Sequence, residues 1–221
     1  MKMNRVGKLT LISVLVLWIM VLAGCGGTSS TPSGQTSSTQ TPSTQTTAQP
    51  SSTPKEQPVP VISGTQASGS DIPDTQVFVK YTSTPGKYQL DVPEGWAQTT
   101  NGTDVNFASN LNAMQVTFST ASTQPTASSV RNDQAVTLQQ TGRAVLDVKV
   151  QDVQLPGGPA VLITYTSNSD PNSVTNKQVR LENNRYLYFN NGKLATLTLS
   201  APVGADNVDQ WLRIARSFKW V

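Results

Sequence analysis

The sequence predicts an α+β domain: a mostly antiparallel β-sheet flanked by helices, preceded by a signal peptide and a disordered linker. Three observations carry this. Every aromatic residue except Trp18 lies from Phe78 onward, which confines the core-forming material to the C-terminal part of the chain. Within that part, short β-rich runs are separated by turn residues. The chain then closes on one strongly amphipathic stretch, "ADNVDQWLRIARSF".

The elements follow in order. Tyr88, Leu90 and Val92 alternate with polar residues until "PEGW" breaks the strand. "VNFAS" and "AMQVTFST" read as two strands, the second with Met114, Val116 and Phe118 on one face. "TASSVRNDQAVTLQQTG" reads as a helix: a Ser/Thr cap precedes it, Val130 and Leu138 share a face, and Gly142 closes it. "AVLDVKVQDVQL" and "AVLITYTS" are β-rich runs on either side of the turn Pro156-Gly157-Gly158-Pro159. "KQVRLE" and "RYLYF" follow. Asn191-Gly192 then precedes "KLATLTLS", and Asn-Gly between alternating runs is a strong hairpin signal.

The final helix shows Val208, Trp211, Leu212, Ala215 and Phe218 at helical spacing, which predicts one apolar face. Asp206 is the expected cap. Asp209 near the start and Arg213 and Arg216 near the end suit the helix dipole, and Asp209 and Arg213 are spaced to pair.

Residues 1–24 have the parts of a secretory signal: Lys2, Arg5 and Lys8, then an apolar run from Leu9 to Val21, then small residues. The run is shorter than the roughly 20 apolar residues that a spanning helix needs. The stretch Leu22-Ala23-Gly24-Cys25 resembles the lipobox of bacterial lipoproteins. That resemblance implies a diacylglycerol on the Cys25 thiol, cleavage before Cys25 and acylation (palmitate) of the new amino end. Two chains anchor stably where one anchors marginally. A plain signal peptide would instead leave an odd thiol in an oxidising compartment, which is disfavoured.

From Cys25 to residue 76 Ser, Thr, Pro and Gln dominate the composition, with no charge between Lys8 and Lys55 and no aromatic between Trp18 and Phe78. Such a segment cannot bury enough apolar surface to offset its ordering entropy, so disorder is expected. At about 50 residues, its typical span is near 40 Å. The globular domain is expected at 77–221. Thirteen Lys and Arg and 13 Asp and Glu lie after Cys25, so the formal net charge of +3 belongs to the signal. No net basic field remains to attract nucleic acid.

"YQLDVPEGW", the middle helix, "RYLYFNNGKLATLTLSAP" and the closing "WLRIARSFKW" together resemble the PsbP-like domain over most of Tyr81–Val221. The resemblance implies an antiparallel sheet sandwiched between helices (an α/β/α sandwich). Some members are extrinsic subunits of photosystem II, and others are bacterial lipoproteins. Metal-linked behaviour in PsbP relatives is tied in part to histidine, which this chain lacks, and its long Ser/Thr tether is unlike the photosynthetic members.

With no histidine, the commonest general base and transition-metal ligand is missing, and no Ser-His-Asp arrangement is possible. Asp91 and Glu94 flank Pro93, a spacing that suits acid–base work but is also ordinary in turns. Asn168, Asp170 and Asn172 copy the start of a calcium loop, yet Val179 stands where its bidentate Glu belongs. Turn chemistry accounts for that segment. Trp211 and Trp220 read as core, and Trp96 is open between core and groove.

The expectation is therefore no catalytic, metal or cofactor site, with Cys25 as the lipidated residue. The protein reads as a non-catalytic lipoprotein, lipid-anchored on the extracytoplasmic side of a bacterial cell membrane, that binds an envelope protein. An extracytoplasmic small-ligand binder or carrier is the alternative, ahead of a photosystem II subunit or a hydrolase.

Overall fold

The computed structural model describes residues 55–62 and 70–221. The elements are β1 (Phe78–Ser83), β2 (Tyr88–Pro93), β3 (Ala97–Asn101), β4 (Asp104–Ser109), β5 (Asn112–Thr120), α1 (Ala127–Asn132), α2 (Gln134–Thr141), β6 (Leu146–Leu155), β7 (Gly158–Asn168), β8 (Arg180–Asn190), β9 (Lys193–Pro202), α3 (Val208–Ser217) and β10 (Lys219–Trp220). Seven strands form one sheet in the order β3-β4-β5-β9-β8-β7-β6, and β1-β2-β10 form a second. All pairings are antiparallel.

Strand alternation builds two cores on the two faces of the large sheet. On one face Phe107, Met114, Val116, Leu162, Tyr186, Tyr188, Leu197 and Leu199 meet Tyr88, Leu90 and Val92 of β2 and Trp211, Ile214 and Ala215 of α3. On the other, Val161, Ile163, Tyr165, Leu187 and Leu194 meet Val130 of α1, with Leu138 of α2 packed alongside. The sheet thus has helices on both faces, as the α+β reading expects.

Two tight turns set the register. Asn191 and Gly192 both hold positive φ (47° and 81°), which twists the two-residue connection to match β8 and β9. The Pro156-Gly157 turn joins β6 to β7 and packs under α3's end, where a Cβ on Gly157 would fall on the Phe218 carbonyl oxygen.

Six expectations are corrected. The single middle helix is two, broken at Asp133 (φ −124°, ψ −79°); Asn132 and Asp133 are poor helix formers, and Thr126 supplies the cap with a reciprocal bond to Ser129. "KQVRLE" and "RYLYF" run together into β8, which begins at Arg180. The α3 face is rotated: Ile214 is fully buried with Trp211 and Ala215, while Val208 is 71% and Leu212 42% exposed. Asn207, rather than Asp206, holds the cap position, and Arg213 reaches Asp91 and the Phe78 ring rather than Asp209.

The last correction concerns residues 55–62 and 70–76, which the composition assigned to the linker. Both stretches are seated on the domain by polar side chains. Asn207 accepts from the Ile72 N–H and donates to the Ser70 carbonyl, and Asn112 donates to the same carbonyl at 2.7 Å. Asp71 accepts from the Asp206 N–H, and Gln210 donates to Asp74. The 55–62 segment is held by Asn168 and its neighbours.

Candidate functional site

Cys25 and the lipobox residues Leu22, Ala23 and Gly24 lie outside the described residues, as do the signal segment and the linker up to Pro54. The other flagged residues are in view, and the structure does not gather them into one site. Asp91 sits in β2 with its carboxylate 3.1 Å from Lys80 Nζ and 3.8 Å from Arg213 Nε. Its N–H donates to the Ser217 hydroxyl, which covers the free edge of β2 beside α3. Glu94 stands in the following turn, its N–H given to the Val77 carbonyl.

The calcium-like trio points three ways. Asn168 is buried against residues 55–62. Asp170 pairs with Arg143 at 2.8 Å. Asn172 accepts from the N–H groups of Val174 and Thr175, a side-chain-capped turn. Among the described residues no cluster of three or more Asp, Glu, His or Cys could hold a metal ion. Trp211 is core, while Trp96 and Trp220 are partly buried against it. Trp220 meets Phe218 edge-on at 5.4 Å.

What the strands do bring together is a polar surface. The helices α1 and α2 pack over β6, β7 and part of β8. The same face carries polar residues across β4, β5 and β9: Asn106 stands opposite Gln115, Gln115 opposite Thr198, and Thr198 opposite Arg185. The neighbouring row runs Thr117, Thr196 and Leu187. Most of these polar side chains are partly exposed. The free edge beyond them is β3, exposed along its whole length.

Arg185 stands where the helix-covered half meets the open half. Its Nε donates to the Thr198 hydroxyl at 3.3 Å, and its guanidinium carbon lies 5.6 Å from the Tyr165 ring centre. Burial pushes the Tyr165 hydroxyl up, against the opposing charge of Arg185. Among the described residues no carboxylate forms an ion pair with Arg185. Such a guanidinium can accept a carboxylate in two parallel hydrogen bonds.

A groove of about 540 Å³ opens at the end of β5, lined by Ser119, Thr120, Ser122, Thr123, Asp133 and Gln134 among others. A smaller, apolar pocket of about 270 Å³ lies under the Pro85-Gly86 turn against Phe118. The signal for the polar face is the threonine alternation of "KLATLTLS" and "AMQVTFST". Arg185 stands out only once register sets it beside Thr198.

No family model matches the chain, and no curated protein matches it. Solved structures do. The domain is similar to cyanobacterial PsbP. The solution structure of that protein (CyanoP) from Synechocystis sp. PCC 6803 has 20% identity and a TM-score of 0.48, over 68% of this chain and 98% of that one. The Saccharomyces cerevisiae Ran-binding protein Mog1p has 9% identity and a TM-score of 0.46, over 66% and 97% of the two chains. LpqN, involved in cell envelope biogenesis of Mycobacterium tuberculosis, has 11% identity and a TM-score of 0.36, over 66% and 85%. With identities of 20% or less and TM-scores below 0.5, these are similarities only.

Proposed function

We propose that this protein is a lipoprotein anchored through Cys25 on the extracytoplasmic side of a bacterial cell membrane, and that its PsbP-like domain is a non-catalytic accessory domain that docks an envelope protein. The anchor rests on the basic head, the short apolar run and the lipobox Leu22–Cys25. The docking role rests on one observation: the open half of the large sheet, where Asn106, Gln115, Thr117, Thr196 and Thr198 lead to Arg185, a cation without a carboxylate partner among the described residues. Hydrogen-bonding groups fixed on strands suit a polar protein surface better than an apolar metabolite.

The test is site-directed photocrosslinking in cells of origin. A crosslinker at Gln115 gives a discrete protein adduct that Arg185→Ala abolishes, while one at Leu212 on the outer side of α3 gives none. Adducts of equal strength at both positions, or none at Gln115, contradict the docking role. A small-ligand binder is the second reading, favoured by the hydroxyl-lined groove at Ser119–Thr123. Saturable binding lost on filling that groove at Ser122, with the Gln115 adduct absent, selects it.

A further inference from the structure

The segment Lys55–Ile62 lies on the domain without joining either sheet. Its sequence prepares it to be read as an extended peptide. Pro58 and Pro60 fix their own φ and bias Gln57 and Val59 toward extended backbone. Between the two prolines only Val59 offers an N–H.

One side chain reads this backbone. The Val59 N–H donates to Asn168 Oδ1 at 3.0 Å, and Asn168 Nδ2 donates to the Gln57 carbonyl at 2.8 Å. Asn168 is only 4% exposed and has all its capacity engaged. Its second Nδ2 hydrogen goes to Glu56 Oε1 at 2.9 Å, and Oδ1 also accepts from Arg180 at 3.1 Å.

The Glu56 carboxylate is then surrounded by donors. Gln178 Nε2 reaches Oε1 at 2.6 Å and an Arg143 guanidinium nitrogen reaches Oε2 at 3.0 Å. The donors are themselves held: Arg143 by Asp170 at 2.8 Å, and Gln178 by the Ser169 carbonyl at 2.9 Å. Lys55 adds a bond from Nζ to the Gln139 carbonyl near the end of α2. Two backbone groups and one carboxylate are recognised at once by residues far away in sequence.

We propose that Arg143, Asn168 and Gln178 form a recognition site for an extended, glutamate-bearing peptide, and that its occupant is the chain's own segment Lys55–Ile62. Occupancy ties the chain to the domain at Glu56 rather than at Ser70. With a lipid on Cys25, the covalent limit on the distance from anchor to domain is then about 110 Å instead of about 160 Å. The site therefore sets how far the domain can stand from its membrane.

The experiment uses the full chain and the synthetic peptide KEQPVPVI. Amide exchange of Val59 is slowed in the wild type, and Glu56→Ala speeds it about tenfold or more while β8 and β9 amides keep their protection. The Glu56→Ala chain, its site emptied of the native carboxylate, binds the added peptide, and a version with Gln in place of the Glu binds more weakly. Asn168→Ala removes the backbone contacts and also loses peptide binding. Because Asn168 supports Arg180, the exposed variant Arg143→Ala is tested beside it and weakens peptide binding without unfolding. Val59 exchanging at an unprotected rate in the wild type, or a Glu56→Ala chain indifferent to the peptide, overturns the proposal.

Discussion

Tyr188 stacks on Phe218 with ring centres 4.1 Å apart and planes 16° apart, and its hydroxyl donates to the Ala215 carbonyl at 2.8 Å. A strand in the middle of the large sheet is thereby joined to the end of α3 by both ring and hydroxyl. Phe218 also stacks on Tyr88 of β2, so one aromatic column links both sheets and the helix. Tyr188→Phe keeps the stack and strands the Ala215 carbonyl, and thermal or urea unfolding should show a loss of about 1 kcal/mol. Tyr88→Phe should cost nothing or stabilise, because the Tyr88 hydroxyl is buried with no hydrogen-bond partner among the described residues.

Trp211 is 5% exposed within this core. Trp211→Ala should cost about 3–5 kcal/mol, enough to lower the melting temperature sharply or prevent accumulation. Leu212→Ala on the solvent side should fall within about 1 kcal/mol of the wild type. Equal costs would mean that α3 is rotated from the orientation described.

Gly192 holds φ at +81°, in a turn with ample space for a Cβ. Gly192→Ala is therefore a test of backbone conformation alone and should cost about 1 kcal/mol in equilibrium unfolding.

Alkaline pH should unfold the domain. Burial pushes the Tyr88, Tyr186 and Tyr188 hydroxyls up from their ordinary value of 10.0. A raised folded value stabilises the protein fully below the unfolded value, and that stability is lost as pH rises from about 10 toward the folded values. Tyrosinate absorbance and circular dichroism should change together in that range. Tyrosines that ionise at their ordinary value with the fold intact would contradict this burial.

Acid should free the 55–62 segment before it unfolds the domain. Hydrogen bonds from Asn168 and Gln178, with the charge of Arg143, hold the Glu56 carboxyl below its ordinary 4.5. The resulting stabilisation is present above about 4.5 and is lost as pH falls through the lower folded value. The other charges around it are Asp170 on Arg143, Arg180 behind Asn168, Asp147 near Arg180, and Lys55 beside it. Val59 amide protection against pH should fall only on the acid side of 4.5.

The strands and hairpins were legible because alternation and Asn-Gly are local signals: Tyr88, Leu90, Val92 and Asn191-Gly192 are where the sequence puts them. The orientation of α3 was not, because Val208 and Leu212 lie on a stripe next to Trp211 and Ala215 and satisfy the same period. Only the fold shows that Ile214 faces inward. The seating of residues 55–62 and 70–76 was hidden for a different reason. Composition reports apolar burial, whereas these segments are held by Asn168 and Asn207, polar residues more than 100 positions away. The open face was half legible: threonine alternation marks it as polar, but that no described carboxylate pairs with Arg185 is a property of the packed neighbours.

The central claim, an anchored lipoprotein, is tested most directly by intact mass and fractionation of the wild type against Cys25→Ser. The account predicts a wild-type chain that begins at Cys25, carries diacylglycerol on that residue and partitions with membranes, and a Cys25→Ser chain that is released or left as the precursor. A Cys25→Ser chain that is processed and membrane-bound like the wild type, or a wild-type Cys25 found as a free thiol, would contradict it.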